Sequence, residues 1–143
     1  MEKISVFEIF KIGIGPSSSH SMGPWNAAKD FLHLVEQKNK GLNNIKSIDV
    51  ELFGSLAKTG KGHGTDKAIM MGLMGYDIEI FKTELLEKNI KNIVLEKKIS
   101  LFNKVKVPFD PDQNIYYNFS KKDLKHPNTM NFRVHFNNGE KIT

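Results

Sequence analysis

The chain has no cysteine among its 143 residues. This excludes disulfide bonds, a cysteine nucleophile, and any zinc or iron–sulfur site built from cysteines of this chain. A chain without cysteine fits a reducing compartment, and we predict a cytoplasmic protein. Residues 1–5 do not resemble a signal peptide, and no apolar run approaches the ~20 residues that cross a bilayer. We therefore predict no membrane association.

Arginine is almost as scarce, since Arg133 is the only one although the net charge is +5. A basic chain raises the question of nucleic acid. Base readout favours arginine, however, and the lysines here are scattered, without an aromatic-rich basic ribbon. We predict no nucleic-acid partner and interpret the lysines as a solvated surface. A composition of 39% hydrophobic and 26% charged residues indicates a single globular domain over residues 1–143.

Glycine, proline and serine are concentrated in one stretch, residues 13–24, with the sequence GIGPSSSHSMGP. Helix-like apolar sequence flanks this stretch on both sides, so it reads as a shaped loop rather than a core element. A second loop of the same kind, residues 60–66, has the sequence GKGHGTD. Each loop carries one histidine, His20 in the first and His63 in the second.

Both loops precede a predicted helix. A helix N-terminus offers unpaired N–H groups and about half a positive charge, which suits an anion such as a carboxylate. Histidine is the side chain best suited to proton transfer near neutral pH. Because His63 lies between two glycines, it has little local packing, which favours an imidazole that faces a cleft. Asp66 is near enough in sequence to orient it, and Lys61 to bias its charge.

Simpler interpretations stay open beside this one. A Gly/Ser/Pro loop is commonly only a turn, and Ser19 or Ser21 can simply cap a helix. Loop histidines are commonly structural or exposed, and we interpret His126 and His135 in that way. No GxxxxGK[ST] phosphate-binding pattern is present. The acidic residues of 110–112 are interpreted as a turn, so no metal ligand is predicted in this chain.

Periodicity predicts the secondary structure. Apolar residues recur at helical spacing from Trp25 to Val35, so a helix is predicted with Pro24 in its first turn and its end near Gln37. Residues 45–53 alternate, which predicts a strand with one buried face. Three more helices are predicted: one over 6–11, a largely buried one capped by Thr65 or Asp66 and ended by Gly75, and one over 83–98. An extended piece is predicted over 76–81, and strands over 115–120 and 130–136. Turns are predicted at 108 and 110–112, with a hairpin turn at 137–139.

The strand that follows this last turn, residues 140–143, stops after a few residues. From this we predict that the chain is truncated within its final hairpin, or is one subunit of something larger.

The two loops resemble the signature stretches of the iron–sulfur-dependent L-serine dehydratases, and more narrowly their N-terminal, or beta, part. The resemblance is carried by residues 13–20 followed by Gly23 and Pro24, and by residues 54–66, GSLAKTGKGHGTD. It extends, less distinctively, over the whole chain. Ser21 departs from the threonine that the family usually has, but it keeps the hydroxyl.

The resemblance implies an L-serine ammonia-lyase that forms pyruvate and ammonia without pyridoxal phosphate. It implies a four-iron four-sulfur cluster that acts as a Lewis acid and whose cysteines belong to an alpha part, fused or separate, so that this chain alone is inactive. It also implies an α+β fold, a two-layer sandwich with helices on one face of a mixed or antiparallel sheet. That fold is similar to the allosteric substrate-binding domain of some phosphoglycerate dehydrogenases. We expect a homo-oligomer.

Within that scheme we predict His63 as the general base at Cα of serine, and His20 as a second acid/base or substrate-orienting group. Which histidine is the base stays open, as does serine against threonine preference. The predicted substrate-binding residues are Ser17, Ser18, Ser19, Lys61, Gly62, Thr65 and Asp66. The alternative is a non-catalytic regulatory module that binds serine or an anion. Paired histidines favour catalysis, because an anion sensor does not need them.

Overall fold

The structure is a computed structural model that describes residues 18–54, 57, 64–78, 83–118 and 130–143. The helix predicted over residues 6–11 lies outside these ranges. The helices are α1 (Ser18–Asn39), α2 (Thr65–Leu73), α3 (Thr83–Glu96) and α4 (Pro111–Asn114). The strands are β1 (Ile45–Phe53), β2 (Lys98–Leu101), β3 (Val105–Pro108), β4 (Ile115–Asn118), β5 (Met130–Phe136) and β6 (Lys141–Ile142).

Among the described residues, the main sheet has four strands in the order β4–β1–β5–β6. β1 is parallel to β4 and antiparallel to β5, and β5 is antiparallel to β6, so the sheet is mixed. β2 and β3 form a separate two-stranded antiparallel sheet. The predicted α+β class with a mixed sheet is confirmed.

One face of the main sheet is buried against the helices. Ile48, Val50 and Leu52 of β1 are fully buried, and they share one core cluster with Val134 of β5 and Trp25 of α1. Asp49 and Glu51, which alternate with these residues, lie on the opposite and less buried face. This is the period of two that the sequence showed, because successive strand side chains point to opposite faces. The strands predicted over residues 45–53 and 130–136 are confirmed with their bounds.

Helix α1 begins earlier than predicted. It starts at Ser18, so Pro24 lies inside the helix rather than in its first turn. Proline at an interior position removes one backbone donor and disfavours the helix. Met22, upstream of Pro24, packs partly buried against the same core as Trp25. Its end at Asn39 is close to the predicted one.

Helices α1 and α2 pack closely because α2 carries Gly72 at the contact. A Cβ at Gly72 would lie 2.3 Å from the carbonyl oxygen of Trp25 and 2.9 Å from Cβ of Ala28. Trp25 Nε1 also donates a 2.8 Å hydrogen bond to the carbonyl of Tyr76, just beyond α2. A side chain as small as that of glycine is therefore required for this separation of the two helices.

The ends of α2 are set by two glycines with positive φ. Gly64, with φ 75°, occupies the cap position and its carbonyl accepts from Ala68 N at 3.0 Å. The predicted cap at Thr65 or Asp66 is therefore wrong, because Gly64 turns the chain into the helix one residue earlier. The predicted stop at Gly75 is confirmed: its φ is 90°, and Tyr76 N donates to Met71 O at 3.2 Å in a Schellman motif. The predicted burial of α2 is confirmed as well.

The hairpin of β2 and β3 was not predicted. Helix α3 ends at Glu96, two residues before the predicted end, and Lys98 already belongs to β2. Three residues connect the paired Leu101 and Val105, and two of them, Phe102 and Asn103, have φ of 53° and 56°. Pro108, predicted as a turn, ends β3.

Of the remaining predictions, the hairpin turn at 137–139 is confirmed, since β5 and β6 pair across it. The extended piece over 76–81 is described only to residue 78, and residues 76–78 form no strand. The strand over 115–120 is described to Asn118. Within the described ranges, the helices lack the combination of length and apolar composition that crossing a membrane requires.

Candidate functional site

The site is organised around one edge of the main sheet, where β1 and β4 both end. Because the two strands are parallel, with Phe53 paired to Asn118, their carboxyl ends lie side by side. In sheets with parallel strands, ligands commonly bind beyond the carboxyl ends. The second predicted loop follows β1 in sequence, and α2 begins where that loop ends.

Helix α1 points its first turn toward the same edge. Only residues 40–44 separate α1 from β1, and Asn39 Nδ2 donates to the carbonyls of Gly41 and Asn43 within this connection. Earlier in the helix, Phe31 stacks on Phe132, with ring centroids 5.3 Å apart. Phe132 is paired with Val50 in the middle of β1. Helix α1 therefore runs antiparallel to β1, so its first residue, Ser18, lies toward the carboxyl edge of the sheet.

Helix α2 runs in the same direction as α1. Gly72, near the end of α2, packs against Trp25 and Ala28. Asp77, which lies beyond the end of α2, pairs with Lys29, farther along α1. The shared order of contacts indicates that the two N-termini face one end of the helix layer. These N-termini carry the positive ends of both helix dipoles.

The first turn of α2 holds the two site residues that are fully described. Thr65 is 0% exposed, and Asp66 is half-buried and is the acidic residue of this turn. A carboxylate there is stabilised by the helix dipole. Asp66 also acts on Tyr117 of β4, because its charge contributes to the pKa of that phenol.

Tyr117 is the residue of this edge that sequence reasoning missed. It pairs with Leu52, next to the end of β1, and its hydroxyl oxygen is buried. Burial raises the pKa of Tyr117 well above its ordinary value, and the negative charges of Asp66 and then Asp112 raise it further. The phenol therefore keeps its proton throughout the physiological range.

The other predicted site residues divide into two groups. Ser18, Ser19 and His20 form the first turn of α1, so they are part of a helix N-terminus rather than of a loop before one. No acidic residue occupies that turn, in contrast to α2. The residues that lie outside the described ranges are Ser17, Lys61, Gly62, His63 and His126.

A separate polar network lies on the face of the sheet away from the helices. Asp49 accepts a 2.8 Å hydrogen bond from Asn114 Nδ2, and its other oxygen is 3.2 Å from Nε2 of His135. Asn118 Nδ2 donates to Glu51 at 2.8 Å. These contacts give His135 a structural partner in Asp49. Asp110 caps α4 by accepting from Asp112 N at 3.0 Å, so the residues predicted as a turn at 110–112 form the start of a short helix.

Comparison with known proteins decides the family. A family model described as serine dehydratase beta chain matches residues 5–143. The chain belongs to the serine dehydratase beta chain family. The loops that carried the resemblance lie within the matched region.

The relatives that this chain matches are much longer proteins. It is 39% identical over 127 residues to L-serine dehydratase of Streptomyces coelicolor, covering 89% of this chain and 28% of that protein. It is 35% identical over 140 residues to L-serine dehydratase 1 of Escherichia coli, covering 97% of this chain and 30% of that protein. It is 38% identical over 135 residues to L-serine dehydratase of Helicobacter pylori, covering 91% of this chain and 28% of that protein. The chain thus spans less than a third of the length of these relatives.

The residues of this chain do not fit an iron–sulfur cluster. The sequence has no cysteine, so it offers no thiolate ligand. In the described part, no group of three or more His, Asp and Glu is placed to hold a metal ion. A cluster would therefore need its cysteine ligands from outside this chain.

Proposed function

We propose that this chain is the beta part of an L-serine ammonia-lyase, which deaminates L-serine to pyruvate and ammonia together with an alpha part. The alpha part would hold a four-iron four-sulfur cluster, as a fused domain or a separate subunit. The observation that carries the proposal is the convergence of two helix N-termini at the carboxyl edge of β1 and β4. Each N-terminus belongs to one of the family's two signature stretches.

The first turn of α1 is the better candidate for holding the substrate carboxylate. Its unpaired N–H groups and dipole favour an anion, and no acidic side chain of its own occupies the turn. Ser18 and Ser19 would add hydroxyl donors, and Ser17 directly precedes them. The corresponding turn of α2 already contains Asp66, whose charge would oppose a second carboxylate.

Proton transfer would then fall to the two histidines. His63 would remove the proton from Cα of L-serine, and His20 would act as the second acid/base or orient the substrate. Lys61, Gly62, Thr65 and Asp66 would shape the loop that presents His63. No step at the leaving hydroxyl is assigned to this chain, because its residues do not fit a cluster.

The proposal is tested by reconstituting the chain with the cysteine-bearing alpha part under anaerobic conditions. We expect the complex to form pyruvate from L-serine, and the chain alone to form none. Parallel assays with L-threonine would define the substrate preference. An intact complex with a loaded cluster that forms no pyruvate would contradict the proposal.

The same assay separates catalysis from regulation. Loss of turnover in both the His20→Ala and the His63→Ala complexes supports a catalytic role. Full turnover with an altered response to added serine would support the regulatory module instead. That alternative has one feature in its favour, since helix N-termini alone can bind an anion without any chemistry.

Replacing Ser18 or Ser19 by alanine is expected to raise KM for L-serine about tenfold, because a hydrogen bond to a charged group is lost. The turnover number should change less, since these hydroxyls bind the carboxylate in ground and transition states alike. Ser47→Ala is the matched control, because Ser47 lies near the start of β1 and is paired with His135, far along the strand from its carboxyl end. Steady-state kinetics of the three complexes provide the measurement, and an unchanged KM in both site variants would rule out anchoring by these hydroxyls.

We also propose that the enzyme is a cytoplasmic homo-oligomer in which residues 1–143 form a single beta domain. The lack of cysteine is compatible with a reducing compartment. Light scattering on the reconstituted complex measures the subunit count, and a monomeric mass would contradict the oligomer.

A further inference from the structure

The face of the main sheet that points away from the helices, here called the open face, carries its charges in two stripes. On β1 the side chains of this face include Asp49 and Glu51. On β5 and β6 they include Arg133 and Lys141, which lie beside β1 in the sheet. Because β1 and β5 are the two inner strands, the boundary between the acidic and the basic stripe runs down the middle of the sheet.

Arg133 is half-buried on the open face and lies opposite Asp49 across the ladder of β1 and β5. The carboxylate of Asp49, however, contacts Asn114 and His135. In the part of the chain that the structure describes, no ion pair includes Arg133. A partly desolvated guanidinium is well suited to pair with a carboxylate, and arginine is enriched at protein interfaces. The open face therefore offers a positive charge to a partner.

Tyr116 adds an aromatic side chain to the same face. It lies on β4 opposite Glu51, and it is 51% exposed. Tyrosine is, with arginine, among the residues that contribute most to binding at interfaces. The open face thus combines an exposed aromatic ring, an arginine without an ion pair and a stripe of carboxylates, which is the composition of a polar interface with anchors.

We propose that the open face is the contact surface between two copies of this chain, related by a two-fold axis that runs parallel to the strands, between β1 and β5. The inference rests on the homo-oligomer proposed above and names the surface that forms it. Rotation about this axis stacks β1 of one copy on β5 of the other, and β4 on β6. Each acidic stripe then faces a basic stripe, and the contact occurs twice in the dimer.

The charges select this direction of the axis. An axis perpendicular to the strands would stack β1 on β1, so that Asp49 and Glu51 would face the same acidic stripe of the other copy. Like charges placed against each other across an interface cost several kcal/mol. With the axis parallel to the strands, the two sheets are aligned, which is one of the two common arrangements of packed sheets. The surface is then complementary to itself, as a two-fold interface requires.

The size of the open face indicates how strong the dimer is. The main sheet has four strands, and β1, its longest, has nine residues. At about 3.3 Å per residue and about 4.8 Å per strand, the face covers at most roughly 600 Å² in each copy. Two copies would bury roughly 1,200 Å², the low end of specific interfaces. We therefore expect a dimer that dissociates on dilution and is weakened by salt, because its contacts are largely ionic.

The test measures the mass of the full 143-residue chain in solution by light scattering, for wild type, Glu51→Arg, Arg133→Glu and an equimolar mixture of the two variants. Wild type is expected at twice the 16.3 kDa of the chain, and added salt should lower this mass. Each variant alone should be a monomer, because both contacts of its dimer then oppose like charges. The mixture should recover the dimer, since the stripes of one variant are complementary to those of the other. A defect in the fold of either variant could not be repaired by mixing.

Matched controls are Glu87→Arg and Lys91→Glu, at exposed positions of α3, which packs on α2 in the helix layer. These reversals should leave the mass unaltered, since exposed charges of this kind contribute little to stability. A monomeric wild type, or a mixture that stays monomeric, would overturn the inference.

Single variants that stay dimeric would overturn it as well. If those variants also failed to bind the alpha part, the open face would belong to the alpha part instead. Pyruvate formation by the reconstituted complex is measured separately, so the two proposals can fail independently. A dimer without turnover contradicts the proposed function, and an active complex whose beta chain is monomeric on its own contradicts only the inference.

Discussion

His63→Ala in the reconstituted enzyme is expected to lower kcat for L-serine about a thousandfold, the usual contribution of a well-placed general base. The reason is the position of His63 in the second signature stretch, between the end of β1 and the first turn of α2. A change in KM of the same size is not expected, because the carboxylate is assigned to the turn of α1. The measurement is pyruvate formation at saturating L-serine.

His33, which is not a predicted site residue, provides the control for that experiment. His33 lies on the exposed side of α1, where its ring contacts Phe102 at a centroid distance of 4.8 Å. His33→Ala should retain wild-type kcat. A His63→Ala enzyme within threefold of wild type would remove His63 from the role of base. Comparison with His20→Ala would then show which of the two histidines carries the larger effect.

Gly72→Ala is expected to destabilise the protein by about 2–3 kcal/mol in urea unfolding, as overpacking of a tight core does. The added Cβ would come within 2.3 Å of a backbone oxygen, which cannot move without shifting α1. The higher helix propensity of alanine offsets only about 1 kcal/mol of this cost. Activity should fall with stability, since both helix N-termini depend on this packing.

Gly23→Ala is the matched control for Gly72→Ala, because Gly23 also lies inside a helix. Apart from its chain neighbours and the helix's own backbone, a Cβ at Gly23 would have no heavy atom within 4 Å. The substitution should therefore destabilise the protein less than Gly72→Ala, since the helix propensity of alanine opposes the cost of a Cβ on the residue before Pro24. Destabilisation of similar size at both glycines would show that the close contact of α1 and α2 is not the cause.

The central part of the fold could be predicted because its pattern is local. Residues 45–53 and 130–136 alternate cleanly, and a half-buried strand needs no other information. Gly75 ends α2, as predicted, because the left-handed backbone conformation just after a helix C-terminus favours glycine. In each case the residue itself carries the constraint.

The start of α1 and the hairpin of β2 and β3 could not be predicted in the same way. Proline favours the first turn of a helix, so no sequence signal marks the helical residues that precede Pro24. The hairpin turn uses Phe102 and Asn103 in a left-handed conformation that glycine normally adopts. Contacts of Phe102 with Gly75 and of Asn103 Nδ2 with Met74 O hold this turn, and they depend on the finished fold.

The candidate site was only partly visible in the sequence. Its glycines, serines and histidines are unusual in composition, so both loops stand out. Tyr117 does not, because an aromatic residue in a strand is normally a core residue. Its proximity to Asp66 depends on the parallel pairing of β1 with β4, and the sequence carries no local sign of that pairing.

The order of strands in the main sheet has a consequence for synthesis on the ribosome. β1 is an inner strand, yet both of its neighbours are encoded after it, and β5 is complete only roughly 80 residues later. At about 5–20 residues per second, the nascent β1 waits roughly 4–16 seconds for its second neighbour. During that interval its backbone N–H and C=O groups form an open edge that another chain can pair with. Helix α1, already made, is the element that can shield the apolar face of β1 until the sheet closes.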